Sequence, residues 1–369
     1  MHFSYIIAII LSIATSYFYF IYSTNSATTN TPIVSQMTST IAASSATATA
    51  IASKFIKNSN PFPTYFISHG GPTFMYENDD FGNKGAWNTV KKIGKTIKKN
   101  WKPDYIIVVS AHWQSSGNNL VEISVPKSSV DPSNELIYDF YGFPQHMYEE
   151  EFYSHSSPEI AKQIKEELTA NGFQSQLTKR GIDHGVWVPF KVAFSDYNKL
   201  TRQPSQQEKQ EGDLPDIPVI QVSLTSNDRD FQTHYKLGEV LGKFSSNKLW
   251  DEKQQKYLSG LIVCSGMSVH NLRDLGRSMG QIGQIMPYVK PFNKLLTETL
   301  TNSSDILKGL LELQQNKLLY AAHPTLEHFV PIVVASGING NSQPVKEIYS
   351  DGMLSLGWNV YQFGNEYKL

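Results

Sequence analysis

The sequence carries ten histidines but a single cysteine, Cys264, so any metal it binds is held by imidazoles and carboxylates and not by a thiolate cluster. Several of those histidines stand where a site would need them. His69 ends the run "TYFIS", His112 ends "DYIIVVSAHW", and His270 follows "SGLIVCSG" in "MSVHNL". His328 lies in "HPTLEHFVP", and a fifth, His184 in "GIDHGVWVPF", has the same character. Gly70, Gly71, Gly185 and Gly266 lie beside them, and glycine permits close backbone approach or unusual φ. Taken alone, each histidine reads most simply as a hydrogen-bonded structural residue. Taken together, neutral imidazoles with few acids nearby suit zinc, iron, copper or nickel. The chain has no HExxH, no CxxC and no glycine-rich phosphate loop, so spacing names no familiar motif. The residues lead to a mononuclear metal site with histidines to spare, and leave the metal and the reaction open.

An α/β fold would bring these residues together. From Pro61 onward, short apolar runs alternate with helical periodicity, the signature of a sheet flanked by helices. "TYFIS", "DYIIVVSAHW", "IPVIQVSL" and "SGLIVCSG" are expected strands of a mainly parallel or mixed sheet. Between the first two, Val90, Ile93, Ile97 and Trp101 recur at helical spacing while Lys91, Lys92, Lys95, Lys98 and Lys99 form a solvated face. "SPEIAKQIKEELTANG" is a helix with Ser157 as N-cap, Pro158 in its first turn and Gly172 as its stop. "PTLEHFVPIVVASG" is a helix starting close to His328, with Pro331 in its first turn and Gly337 as its stop. In open α/β sheets ligands bind beyond the carboxyl ends of strands, which is where His69, His112 and His270 fall. The polar stretch Thr201 to Asp216 reads as a surface insertion, and Cys264 as a small buried hydrophobe. One domain, residues 61–369, is expected.

Residues 1–60 differ. The first 53 contain no Lys, Arg, Asp or Glu, and residues 6–22 are apolar and aromatic, which fits a signal peptide or membrane anchor. Residues 23–53 turn to Ser, Thr and Ala, a linker composition that buries too little apolar surface to order itself. A start at Met37 would instead give an organelle-type leader. The folded part carries no such feature and reads as a soluble domain. Lys and Arg total 32 against 33 Asp and Glu, a balance that argues against a nucleic-acid partner held by bulk electrostatics.

Six segments in order, "ISHGGP", "VVSAHW", "IYDFYGFPQHMY", "GIDHGVWVPF", "CSGMSVHNL" and "HPTLEHFVPIVVASG", resemble the extradiol ring-cleavage dioxygenases of the LigB-like class, in particular its 4,5-DOPA dioxygenase branch. The closing "GMLSLGWNVYQFG" is similar to that branch as well. The resemblance implies a single α/β domain with its active site at strand ends, a divalent metal (Fe2+ for oxygen chemistry, with Zn2+ a comfortable occupant), and a catechol-type aromatic and O2 as substrates. It implies metal ligands at His69, His112 and His328. It gives His270 the place of the general base, or of a further metal-binding residue, and His184 that of a second active-site histidine. His323 departs from the pattern. Trp113, Trp187, Tyr141 and Phe143 are candidates to pack against a substrate ring. Three neutral imidazoles would leave the metal charge uncompensated, which favours an anionic catecholate. Two other functions are compatible with the same scaffold: a zinc-dependent hydrolase using metal-bound water, and a non-catalytic Memo-like metal or redox binding protein.

Overall fold

The computed structural model describes residues 53–278, 284–341 and 343–367; the apolar run at 6–22 and the linker before residue 53 lie outside the described residues. No described helix is long and apolar enough to cross a membrane. The main sheet has eight strands, numbered in chain order: β1 Thr64–Ser68, β2 Tyr105–Gln114, β3 Leu120–Val125, β4 Gln174–Lys179, β5 Val219–Leu224, β6 Gly260–Gly266, β7 Val345–Tyr349 and β8 Val360–Phe363. Their spatial order is β7-β8-β1-β6-β2-β5-β3-β4. The central four, β1, β6, β2 and β5, are mutually parallel. β8 joins β1, and β3 joins β5, in antiparallel fashion, so the sheet is mixed. Because the four central strands point the same way, their carboxyl ends share one edge.

Alternating residues of a strand face opposite sides, and here both sides are buried. Ile106 and Val108 of β2 pack with Val90 and Phe190 on one face. Ile107 and Val109 pack with Leu241 and Val334 on the other. This double burial explains the continuous apolar run of β2. The covering helices are Lys84–Thr96 and His184–Phe194 on the first face, and Phe231–Ser246 and Val330–Asn339 on the second.

The lysine row is more than a solvated face. Lys92, Lys95 and Lys99 are exposed, but Lys91 and Lys98 donate to the Ser195 and Phe194 carbonyls. They thereby satisfy the last turn of the helix that begins at His184, where cations are favoured. The helix Pro158–Ala170 forms as expected, the Ser157 side chain accepting from the Ile160 amide and Gly172 lying at φ 90° beyond its end.

Three expectations need revision. Phe55–Lys57, placed outside the folded part on composition, forms a strand antiparallel to Asn247–Leu249; the short hairpin Asn247–Leu258 gave it a partner that local sequence does not reveal. The stretch 201–216 carries an exposed helix, Gln206–Glu211, behind a Ser205–Glu208 capping box. Its end is not surface, however: Asp213 and Leu214 are buried, and Asp213 accepts from the Tyr153 amide, Ser195 Oγ and Tyr197 Oη. Pro331 does lie in the first turn of the helix Val330–Asn339, but Gly337 lies inside it and the end comes at Gly340, φ 58°. A Cβ at Gly337 would stand 2.0 Å from the Tyr235 carbonyl oxygen. This glycine lets the helix lie against Phe231–Ser246.

Gly337→Val should therefore lower stability by at least roughly 1–3 kcal/mol through overpacking. Thermal unfolding followed by circular dichroism tests this, and an unchanged Tm would show that the two helices separate at little cost.

Candidate metal centre

Three imidazoles meet at the shared edge. His69 follows β1 directly. His112 lies late in β2, where pairing with β5 slips between Val109 and Gln114. His328 sits in the turn just before the helix Val330–Asn339. The Nε2 atom of His112 is 3.1 Å from Nε2 of His69 and 3.1 Å from Nε2 of His328.

The outward nitrogens decide what these inner atoms are. Ser265 Oγ donates its proton to the Gly185 carbonyl, so at 2.9 Å from His69 Nδ1 it can only accept. His69 is therefore protonated on Nδ1 with a lone pair on Nε2. His328 Nδ1 lies 2.9 Å from Glu327 Oε1, a carboxylate acceptor, so its Nε2 also carries a lone pair. His112 turns Nδ1 towards Asp139 Oδ2 at 3.5 Å. Burial, reinforced by the neighbouring imidazoles, holds His69 and His328 well below the ordinary histidine range. Burial followed by His184 brings His112 down to about 4. The result is three neutral rings presenting nitrogen to one point.

That point fits a cation. Nitrogens bound to one ion at about 2.0–2.1 Å stand about 2.8–3.4 Å apart at angles from 90° to tetrahedral, and 3.1 Å lies inside that interval. Two lone pairs directed at a third ring nitrogen cannot both be satisfied by its single proton, whereas a shared cation satisfies all three. Outward hydrogen bonds of this kind fix ring orientation and raise ligand basicity.

The other histidines surround this group. His184 is the first residue of the helix His184–Phe194. Its backbone amide and Nδ1 both donate to Asp139 Oδ1, at 2.9 and 2.8 Å, and among the described residues Nε2 has no hydrogen bond. Gly185 brings this helix start onto β2, since a Cβ there would lie 2.4 Å from Ser110 Oγ and 2.9 Å from His112 Cδ2. Asp183 anchors the same turn, accepting from Ser110, Arg180 and Gln221. His270 stands beside the three-ring group, stacked on His328 with centroids 3.6 Å apart at 17°. Burial and the adjacent His328 hold it well below the ordinary range, so in the metal-free site it is neutral. His323 is fully buried and donates Nε2–H to the Ser268 carbonyl, and is not a member of the three-ring group.

The aromatic candidates divide. Trp187 is spent in the core, its Nε1–H on the Ile137 carbonyl. Trp113 carries the Arg180 guanidinium at 4.4 Å, and Tyr141 is 52% exposed. Phe143 lies over Gly71. Phe140, not singled out by sequence, turns its ring edge-on to His184 at 5.7 Å. Asp139 and Ser265 were missed as well; the only signal for Asp139 was an acid set among aromatics in "IYDFYGF".

The family model described as the catalytic LigB subunit of aromatic ring-opening dioxygenase matches residues 63–361. The chain belongs to the LigB family. It is 32% identical to a Beta vulgaris protein named 4,5-DOPA dioxygenase extradiol, covering 80% of this chain and 94% of that one. It is 31% identical to a Schizosaccharomyces pombe protein named 4,5-DOPA dioxygenase extradiol-like, over 78% of this chain and 89% of that one. A solved structure of an uncharacterized Escherichia coli K12 protein matches at TM-score 0.57 and 22% identity, covering 82% of this chain and all of that one, a likeness of fold. LigB dioxygenases use a metal ion and act on aromatic rings with O2, and the edge described above has a histidine group able to take such an ion.

The Asp139–His184 pair gives a pH prediction. Burial opposes charge on both groups, yet mutual attraction and hydrogen bonding prevail, holding the Asp139 carboxyl below its usual range and raising His184. Its stabilisation is complete between roughly pH 4 and 6.5, the ordinary values of the two groups. It is lost as pH rises through the raised His184 value, and as pH falls through the lowered Asp139 value. In metal-free protein, Asp139→Asn should move the His184 ring titration to lower pH by NMR; an unmoved titration would remove Asp139 as its cause.

Proposed function

We propose that this protein is a metal-dependent extradiol dioxygenase that opens the ring of a catechol-type, DOPA-like aromatic with O2. His69, His112 and His328 are its metal ligands, with His270 and His184 as acid–base residues. The observation that carries this reading is the convergence of three Nε2 atoms, that of His112 lying 3.1 Å from each of those of His69 and His328, whose Nδ1 positions are occupied by, or turned to, Ser265, Asp139 and Glu327. The names of the Beta vulgaris and Schizosaccharomyces pombe relatives favour a DOPA-like substrate.

Ferrous iron, when bound, supplies the electron exchange between catecholate and O2 that a redox-inert zinc ion does not. The chain's residues supply the rest. His270, neutral and stacked on a ligand ring, accepts the hydroxyl proton of the entering diol. His184, its Nδ1–H fixed by Asp139 and its affinity for protons raised, presents Nε2 to the same space as proton donor. The charge argument from sequence also changes. Glu327 and Asp139 lie one imidazole away from the metal position, so negative charge is available behind the ligands and not only from the substrate.

Three substitutions separate the roles. His112→Ala should abolish metal binding by elemental analysis. Glu327→Gln should weaken it by about 10–100-fold in a chelator competition. His270→Ala should keep the metal but lose oxygen uptake with a catechol after anaerobic Fe2+ loading. Retention of metal by His112→Ala would overturn the ligand assignment, and a hydrolytic activity indifferent to O2 would replace the dioxygenase reading.

A further inference from the structure

We propose that His323 is a positioning residue for His270, acting through the carbonyl of Ser268. The inference rests on the reading of His270 as the base.

The ring of His323 is buried at the end of the short helix Lys317–Ala322, edge-on between Phe292 and Phe329 with centroids 5.6 and 5.4 Å away. Its Nε2 lies 2.8 Å from the Ser268 oxygen. A carbonyl only accepts, so Nε2 carries the proton and Nδ1 is left as an acceptor. Among the described residues, that Nδ1 is buried without a hydrogen-bond partner. A leucine or phenylalanine would fill the space between two phenylalanines without stranding an acceptor, and a stranded acceptor is unfavourable. Packing alone therefore does not account for a histidine here. The bond to Ser268 does.

Ser268 is fastened on every polar atom. Its amide donates to Ser68 Oγ at 3.1 Å, its hydroxyl accepts from the Asn359 amide at 3.1 Å and donates to Asn359 Oδ1 at 3.3 Å, and its carbonyl takes His323. One residue earlier, the Met267 amide donates to the His328 carbonyl at 3.0 Å. This segment is thus tied to the residue before one proposed ligand and to the backbone of another. His270 follows two residues on, in a strand of only two residues, Val269–His270. Among the described residues its ring has no hydrogen bond and rests on the face of His328. Its aim is consequently set by its backbone, and His323 holds the peptide that sets it.

The test uses the full-length protein loaded with Fe2+. His323→Leu removes the donor at similar volume, and His323→Asn keeps polarity but falls short of the carbonyl. His323→Gln carries an amide nitrogen to about the reach of Nε2. We expect the Leu and Asn variants to lose about 10–100-fold in kcat, the scale of a small misplacement, with KM for the catechol and metal content within about twofold of wild type. The Gln variant should recover kcat to within about threefold. Amide hydrogen exchange should quicken for residues 266–271 in Leu and Asn but not in Gln. Wild-type kcat in either the Leu or the Asn variant, loss of metal together with activity, or a Gln variant no better than Leu would overturn the proposal. Should Leu fail to fold, Asn and Gln carry the same comparison. If wild-type protein does not turn over catechols, it is the dioxygenase reading that fails, and the exchange measurement still decides whether His323 holds the Ser268 segment.

Discussion

Three ring nitrogens directed at one point in a protein interior form an arrangement that neutral imidazoles do not adopt for their own sake. Lone pairs facing each other at 3.1 Å repel unless something positive stands between them. The surrounding structure is built to hold this unfavourable set. Ser265 spends its own proton on Gly185 so that it can accept from His69. Glu327 is placed beside its neighbour His328, and Asp139 comes from a distant loop to face His112 while fixing His184. Each outward partner removes one way in which an imidazole could turn away.

The parallel strands supply the second requirement, which is direction. β1, β6 and β2 end on a common edge, so residues far apart in sequence arrive together without any local motif. The sheet is covered on both faces, and its edge is the place where polar side chains can face inward without being swallowed by a core. The helix starts at His184 and Val330 close the same edge from either side.

Much of this was legible from residue types. The runs containing β1, β2, β5 and β6 are apolar and β-branched because both sheet faces are covered, and His69, His112 and His328 could be picked out through their resemblance to LigB sequences. What escaped detection depends on long-range partners. Phe55–Lys57 is a strand only because Asn247–Leu249 lies alongside it. Asp139 is an ordinary acid until His184 arrives. Gly337 looked like a terminator because its other use, allowing the Tyr235 backbone to approach, lies in another helix. The stacking of His270 on His328 is likewise not written in "MSVHNL".

The small sheet formed by Phe55–Lys57 and the hairpin Asn247–Leu258 has a directional meaning. Its hairpin runs straight into the start of β6 at Gly260, and Asp104, just before β2, accepts from the Ser259 amide. Both contacts lie at the amino ends of the parallel strands, opposite the histidine edge. Ser53, the first described residue, therefore lies at the amino-end pole of the sheet, opposite the histidine edge. An attachment made at Ser53 itself would thus sit at the opposite end of the parallel strands from the histidines.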